Sequence, residues 1–250
     1  MKNLVHIDKD FGWFIGNFDH NQKHQHYAIQ LSIPIHGSVS IQTESEIITT
    51  ELPILIKTNV IHQLTSEEDH LLILINPAST IGHFYSKSVQ NDITEFIESP
   101  ATDLQKIIKG TEKLSSEPSA LKKEINKLIT SYDCFCGSFI HQGDERINKA
   151  LAFLQENASR TVPLEEMAHH CNISQSRFRH LFKDQTGLTY RRVQLWTRLV
   201  KAIPLMRNQS LTEVAYSAGF SDSAHFSRTF RENFGFSPRE FLKISRFIQV

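Results

Sequence analysis

The side chains whose chemistry is easiest to interpret lie beside two phenylalanines near the C-terminus. Helical spacing puts Phe226 and Phe230 on one buried stripe of a predicted helix. Four short or hydrogen-bonding side chains are then left to face outward: Ser223, Ala224, His225 and Arg228. An arginine can donate two hydrogen bonds to a guanine edge, and an alanine can contact a thymine methyl group. These residue types at this spacing predict a helix that reads base edges in the major groove of DNA.

An earlier stretch repeats this arrangement. Phe178 and Phe182 correspond to the two phenylalanines, with Ser176, Arg179 and His180 as the predicted base contacts. Basic residues beside the two sets are predicted to contact the DNA backbone: Arg177, Lys183 and Arg231. Arg228 is the strongest single candidate for base contact, and its alternative roles are a phosphate contact or an ion pair with Glu232.

Each set of side chains is preceded by a short helix and a turn. Leu211, Val214 and Ala215 follow the i, i+3, i+4 pattern, Gly219 can end that helix, and Ser221-Asp222-Ser223 can cap the next one. The same order in the first copy predicts two helix-turn-helix units, over residues 164–189 and 211–237. Ordinary helical hairpins in a core are the alternative interpretation.

The run AGFSDSAHFSRTFRENFGFSPREF, at residues 218–241, resembles the signature of the AraC/XylS family of transcription regulators. The resemblance covers roughly residues 144–245 and names the base contacts given above. It implies a cupin-type N-terminal sensor, a small effector, a homodimer formed through helices after the sensor, double-stranded DNA as partner, and RNA polymerase as a further partner if the protein activates.

The charge of the chain changes sign near residue 144, where the resemblance begins. Residues 1–143 carry 11 Lys+Arg against 17 Asp+Glu, and residues 144–250 carry 16 against 10, although the whole chain has no net charge. An acidic half joined to an arginine-rich half fits a sensor attached to a phosphate-binding module. With no apolar run long enough to span a membrane and only three cysteines, we expect a cytoplasmic protein without membrane partners.

The first half reads as short strands followed by helices, so the predicted fold class is α+β with two domains. We expect a cupin-like β-barrel over residues 1–85, a helical segment over 86–135, a linker over 136–143, and an all-α DNA-binding domain over 144–250. Ile93, Phe96 and Ile97 mark the first of three predicted helices, which either cover the sheet or form a dimer contact.

Histidines gather in the predicted barrel. His24 and His26, followed by Gln30 and later His62, resemble a cupin metal motif in which glutamine replaces the usual acidic ligand. A three-imidazole metal site is geometrically possible, but the sequence favours an organic effector, with no metal and no other cofactor. The predicted pocket residues are Trp13, Tyr27, His24, His26 and His62.

We therefore expect a DNA-binding transcription regulator that is controlled by a small effector and has no catalytic residues. The alternatives are a barrel that serves only as a dimerisation scaffold and a metal-dependent cupin enzyme. Pro204 lies inside the helix predicted to connect the two units, so we also expect a kink there or an early end, with Leu205 and Met206 in a separate turn.

Overall fold

The structure is a computed structural model that describes residues 3–17, 21–110, 118–132 and 144–247, with side chains from Leu4 to Ser245 within those ranges. The predicted linker, 136–143, lies outside the described residues. The chain separates into two compact units, Met1–Cys134 with Arg231–Val250, and Phe135–Phe230.

The first unit contains ten strands among its described residues. In chain order they are β1 (Asn3–Ile7), β2 (Phe11–Gly16), β3 (Ile29–Pro34), β4 (Val39–Gln42), β5 (Ile47–Thr50), β6 (Ile54–Ile56), β7 (Gln63–Thr65), β8 (His70–Ile75), β9 (Ile93–Glu95) and β10 (Ser245–Phe247). Seven form one sheet, in the order β10-β1-β2-β8-β3-β6-β9, and three form another, in the order β5-β4-β7. The central strand β8 is an unbroken apolar run after His70, and all six of its residues are buried, as expected for a strand covered on both faces.

The predicted cupin-like barrel is not confirmed. Among the described residues the strands form two open sheets, and the edges of the larger one, β10 and β9, do not pair with each other. One edge is occupied instead by the C-terminal end of the chain, because β10 pairs in parallel with β1. The coarser prediction, a sheet-rich N-terminal part and a helical C-terminal part, is confirmed.

Three helices accompany the larger sheet: α1 (Thr80–Ser88), α2 (Ala101–Gly110) and α3 (Pro118–Ser131). Leu104, Leu121 and Ile125 join the sheet's own side chains in one apolar cluster. The buried faces of α2 and α3 therefore cover the sheet.

The prediction of the first of the three helices is wrong. Ile93 lies in strand β9, paired with Ile56, and the Phe96 amide donates to the Pro53 carbonyl at 2.7 Å. Phe96 is buried, whereas Ile97 is 61% exposed. Apolar residues at i, i+3 and i+4 do not separate a helix from a short strand that enters a turn, so pairing with β6 decided the outcome.

Seven helices lie within residues 144–247: α4 (Glu145–Glu156), α5 (Leu164–His170), α6 (Gln175–Thr186), α7 (Tyr190–Leu205), α8 (Leu211–Ser217), α9 (Ser223–Phe234) and α10 (Pro238–Ile244). Helix α7 ends one residue after Pro204. The proline therefore lies in the last turn, where it removes one amide-to-carbonyl hydrogen bond but only one helical residue follows it. Leu205 is still helical and Met206 caps the helix, so they do not form the separate turn that the sequence suggested.

Candidate nucleic-acid interface

Helix α6 presents the first set of predicted DNA contacts. Ser174 caps it, its hydroxyl accepting from the Arg177 amide, and Phe178 and Phe182 are fully buried against the Tyr190 ring at 5.4 and 5.7 Å. With that face fixed, every predicted contact on this helix is exposed: Ser176, Arg177, Arg179, His180 and Lys183.

Helix α9 presents the second set. Asp222 caps it, its Oδ1 accepting from the His225 amide at 2.7 Å, and Phe226 and Phe230 are fully buried. Ala224, Arg228 and Arg231 are exposed, whereas Ser223 and His225 are half-buried.

The side chains of His225 and Arg228 differ in how many contacts they make within the protein. The His225 ring lies 5.3 Å from the Phe220 ring, and its Nδ1 is 3.0 Å from the Ser221 hydroxyl, so only Nε2 is left for DNA. Arg228 forms no ion pair within the part of the chain that the structure describes, so the alternative partner Glu232 does not hold it. The whole Arg228 guanidinium is available to an external acceptor.

A buried arginine that the sequence interpretation missed holds the second helix-turn-helix unit in place. Arg198, on α7, is 3% exposed and donates to the carbonyl oxygens of Ala218, at 2.9 Å, and Gly219. It also donates to the Thr161 hydroxyl at 3.2 Å, and its guanidinium lies 4.3 Å from the centre of the Phe220 ring. Arg198 therefore joins the connecting helix to the turn that precedes α9.

The same face of α7 fixes the strand-like segment before α5. Tyr190 and Gln194 both donate to the Val162 carbonyl, at 2.9 and 2.8 Å. Tyr190, Gln194, Arg198 and Ala202 form an i, i+4 row that is buried throughout. That spacing was a usable signal for Arg198, since it marks a second buried stripe beside the apolar one.

The predicted effector residues lie in the first unit, and the structure brings together only some of them. A cleft of about 330 Å³, counted with its opening to solvent, is lined by Phe14, Asn21, His24, His26, Gln30, Leu72, Leu74, Phe234 and Phe236. His62 adjoins it, with its ring 4.5 Å from that of His24. Trp13 and Tyr27 do not line this cleft. Trp13 is buried in the core, where its Nε1 donates to Asn126 Oδ1 at 2.9 Å.

Burial keeps these histidines neutral. Desolvation lowers the pKa of His24 to about 3, helped by the neighbouring His26, and lowers the pKa of His26 as well. The pKa of His62 is well below its usual value for the same reason, with further contributions from the other two rings. Neutral imidazoles can bind metal ions or accept hydrogen bonds, but they cannot pair with an anionic ligand as cations would.

Comparison with known proteins gives one family match and two kinds of relative. A family model described as a helix-turn-helix domain matches residues 167–244. The transcriptional activator RhaS of Citrobacter koseri is 40% identical over 99 residues, which are 39% of this chain and 36% of that protein. RhaS of Klebsiella pneumoniae is 39% identical over the same shares of both chains. This chain thus matches about a third of the length of these curated relatives, which are transcriptional activators and not enzymes.

Solved structures extend the likeness to the whole chain. An apo form of ToxT from Vibrio cholerae has a TM-score of 0.61 at 14% identity, covering 96% of this chain and 99% of ToxT. ToxT with a bound unsaturated fatty acid has a TM-score of 0.57 at 14% identity, covering 96% and 97%. At this identity the likeness establishes the fold. None of the helices that the structure describes is long and apolar enough to cross a membrane.

Proposed function

Because the C-terminal helix-turn-helix domain of this chain belongs to the AraC/XylS family, we propose that the protein is a sequence-specific DNA-binding transcription regulator. The observation that carries the proposal is the shared construction of α6 and α9. Each helix is capped by a side-chain oxygen, anchored by two buried phenylalanines, and exposes an arginine in its first two turns. This is the construction a helix needs to enter a major groove.

The two helices have separate roles in this proposal. On α6 the base contacts are Ser176, Arg179 and His180, with Arg177 and Lys183 on phosphates. On α9 they are Ser223, Ala224, His225 and Arg228, with Arg231 on the backbone. The half-buried positions of Ser223 and His225 favour Arg228 as the dominant base contact of the second helix.

The first test is selection of genomic DNA fragments by the purified protein at two salt concentrations. A motif with two elements about one helical turn, roughly 34 Å, apart supports both helices as base readers. Diffuse binding that weakens steeply with salt, without a motif, refutes sequence-specific reading.

Substitution of Arg228 tests the assignment of the base contact. Arg228→Ala should weaken binding to the selected site by roughly 1–3 kcal/mol and relax the preference at one base pair. Arg207→Ala is the matched control, since Arg207 is exposed but lies beyond the end of α7. A loss that is equal on all DNA sequences would assign Arg228 to a phosphate instead.

We further propose that the N-terminal unit responds to a small effector bound in the histidine-lined cleft, and that the protein acts as a cytoplasmic homodimer. The lining of the cleft combines apolar side chains with a few polar groups, His24, His26 and Gln30, which is the mixture usual in small-ligand sites. ToxT, whose fold is similar, has been solved with an unsaturated fatty acid. A protein that activates would also contact RNA polymerase.

Thermal unfolding with candidate ligands separates an effector site from a dimerisation scaffold. A ligand that raises the melting temperature of the wild type, but not of a Phe14→Trp variant with a narrowed cleft, supports the effector role. A dimer that is insensitive to every ligand supports the scaffold.

A further inference from the structure

Two chain segments of the first unit bring three histidines together. The His24 amide donates to the His62 carbonyl and the His62 amide to the His24 carbonyl, both at 2.9 Å, and His26 follows two residues later. All three side chains are buried, with ring centres 4.5 to 5.6 Å apart. The ligating nitrogens lie within 4.8 Å of one another.

Backbone carbonyls fix the tautomer of every ring in this cluster. The Nδ1 atoms lie 2.8 Å from the Gln22 carbonyl for His24, 2.8 Å from the Ala28 carbonyl for His26, and 2.9 Å from the Val60 carbonyl for His62. A carbonyl oxygen only accepts, so each Nδ1 must carry the hydrogen. In a neutral ring the Nε2 atom then carries a lone pair instead of a hydrogen, which is the arrangement found around metal-bound histidines.

Gln30 adds a fourth electron-rich atom. Its Oε1 is 2.9 Å from the His26 Nε2 and 3.3 Å from the His62 Nε2, while its amide nitrogen donates to the Ser32 hydroxyl at 3.1 Å. In this orientation acceptor faces acceptor with no hydrogen between them, inside a buried site. A cation at the centre would turn this repulsion into attraction.

We propose that the Nε2 atoms of His24, His26 and His62, with Gln30 Oε1, form a binding site for a divalent first-row transition metal ion of the zinc type. Imidazole nitrogens suit zinc, copper and nickel rather than magnesium or calcium. Bonds of about 2.0–2.1 Å to a tetrahedral ion require ligand separations of about 3.3 Å. Gln30 Oε1 is 2.9 and 3.3 Å from two of the nitrogens, and the nitrogens, which lie within 4.8 Å of one another, would move inward on binding.

The proposal reverses the preference for a metal-free organic pocket that the sequence supported. That preference came from the resemblance to a family whose sensor domains mostly lack a metal. In the structure the Gln30 amide oxygen faces the rings, and the amide nitrogen donates to the Ser32 hydroxyl. The metal ion would be the effector of the regulator proposed above, so its regulatory role rests on that proposal. The metal site itself is tested without DNA.

The competing arrangement has the Gln30 amide turned over. Its nitrogen would then donate to His26 and His62, its oxygen would accept from Ser32, and these three side chains would need no ion. The two arrangements differ in the wild type, because only the first gains an attraction by taking up a cation.

The experiment is titration of chelator-treated full-length protein with Zn²⁺ by calorimetry, followed by Co²⁺ absorption spectroscopy as a report of tetrahedral nitrogen ligation. Wild type should bind one equivalent. His26→Ala and His62→Ala should each weaken binding by roughly 100-fold or more. His36→Ala is the matched control, because His36 is exposed and outside the cluster, and it should bind as wild type does.

Gln30→Glu keeps the length of the side chain and replaces the amide oxygen by a carboxylate, so it should bind Zn²⁺ at least tenfold more tightly than wild type. Wild-type protein that takes up no stoichiometric Zn²⁺, or binding that is equally weakened by His36→Ala, overturns the proposal. Gln30→Glu that binds no tighter than wild type shows that the oxygen at position 30 is not a ligand, which also overturns the proposed site. Stoichiometric Zn²⁺ binding without DNA binding would leave the metal site standing and refute the regulator.

Discussion

Arg198 offers the sharpest test of how the second helix-turn-helix unit is held. Its guanidinium is buried and donates to two carbonyls, of Ala218 and Gly219, and to the Thr161 hydroxyl. We expect Arg198→Met, which keeps the length of the apolar stem, to destabilise the second helix-turn-helix unit strongly.

The magnitude follows from the groups left behind. Each buried carbonyl that loses its donor costs about 1–3 kcal/mol, and loss of the guanidinium over the Phe220 ring adds about 1 kcal/mol. The loss of positive charge partly offsets this, since a buried cation without a carboxylate partner is itself unfavourable. Together these give about 3–5 kcal/mol. Arg198→Lys should lose about half as much, because one ammonium cannot reach all three acceptors.

Urea unfolding followed by far-ultraviolet circular dichroism measures the loss, and hydrogen exchange localises it to the turn before α9. Arg191→Ala is the control, because Arg191 is exposed on the same helix, and its effect should be within about 0.5 kcal/mol. If Arg198→Met unfolds at the same urea concentration as Arg191→Ala, the three hydrogen bonds contribute nothing and the reasoning fails.

Two further predictions concern single groups. Burial lowers the pKa of His70 to about 4, so folding favours its neutral form. The stabilisation is complete above the unfolded value of about 6.5 and is lost as the pH falls; between pH 7.5 and 5 it amounts to about 2 kcal/mol. His70→Gln should flatten the stability profile by that amount in urea titrations, and an unchanged profile would refute it. Gly219→Ala should cost more than about 2 kcal/mol, because φ is +71° and a Cβ would lie 2.6 Å from the Ser159 carbonyl oxygen. Gly187→Ala has φ +72° with open space around it and should cost only about 1 kcal/mol; equal melting temperatures for the two variants would contradict the steric argument.

The helical half was predictable because its signals are local. Phe178, Phe182, Phe226 and Phe230 lie one turn apart within their helices, and all are buried as the spacing predicts. Ser174 caps α6 through a hydrogen bond from an amide three residues later. These features depend on residues within a few positions of one another, so the sequence contains all the information that they need.

The sheet half was less predictable because its outcome depends on distant pairing. Whether two sheets close into a barrel is decided at strand edges, and the edge beside β1 is filled by β10, more than 200 residues later in the chain. Alternation along β2 shows that Trp13 and Phe14 face opposite ways, but not which of them faces the cleft. In the structure Phe14 does, and Trp13 packs under α3 through Asn126.

Gly235 is subject to both a local constraint and a long-range packing constraint. It ends α9 in the left-handed conformation that favours glycine, with φ of +77° and a hydrogen bond from its amide to the Arg231 carbonyl. Long-range packing adds a second constraint, because a Cβ there would lie 2.7 Å from the Gln22 carbonyl oxygen and 2.8 Å from the His24 Nδ1. The Gly235 carbonyl also accepts from the Gln22 amide at 2.7 Å, and the Gln22 carbonyl faces the His24 Nδ1. Gln22, whose carbonyl sets the tautomer of His24, is therefore itself held through its amide by the residue that ends α9, and a side chain at position 235 would disturb the helix stop and the histidine together.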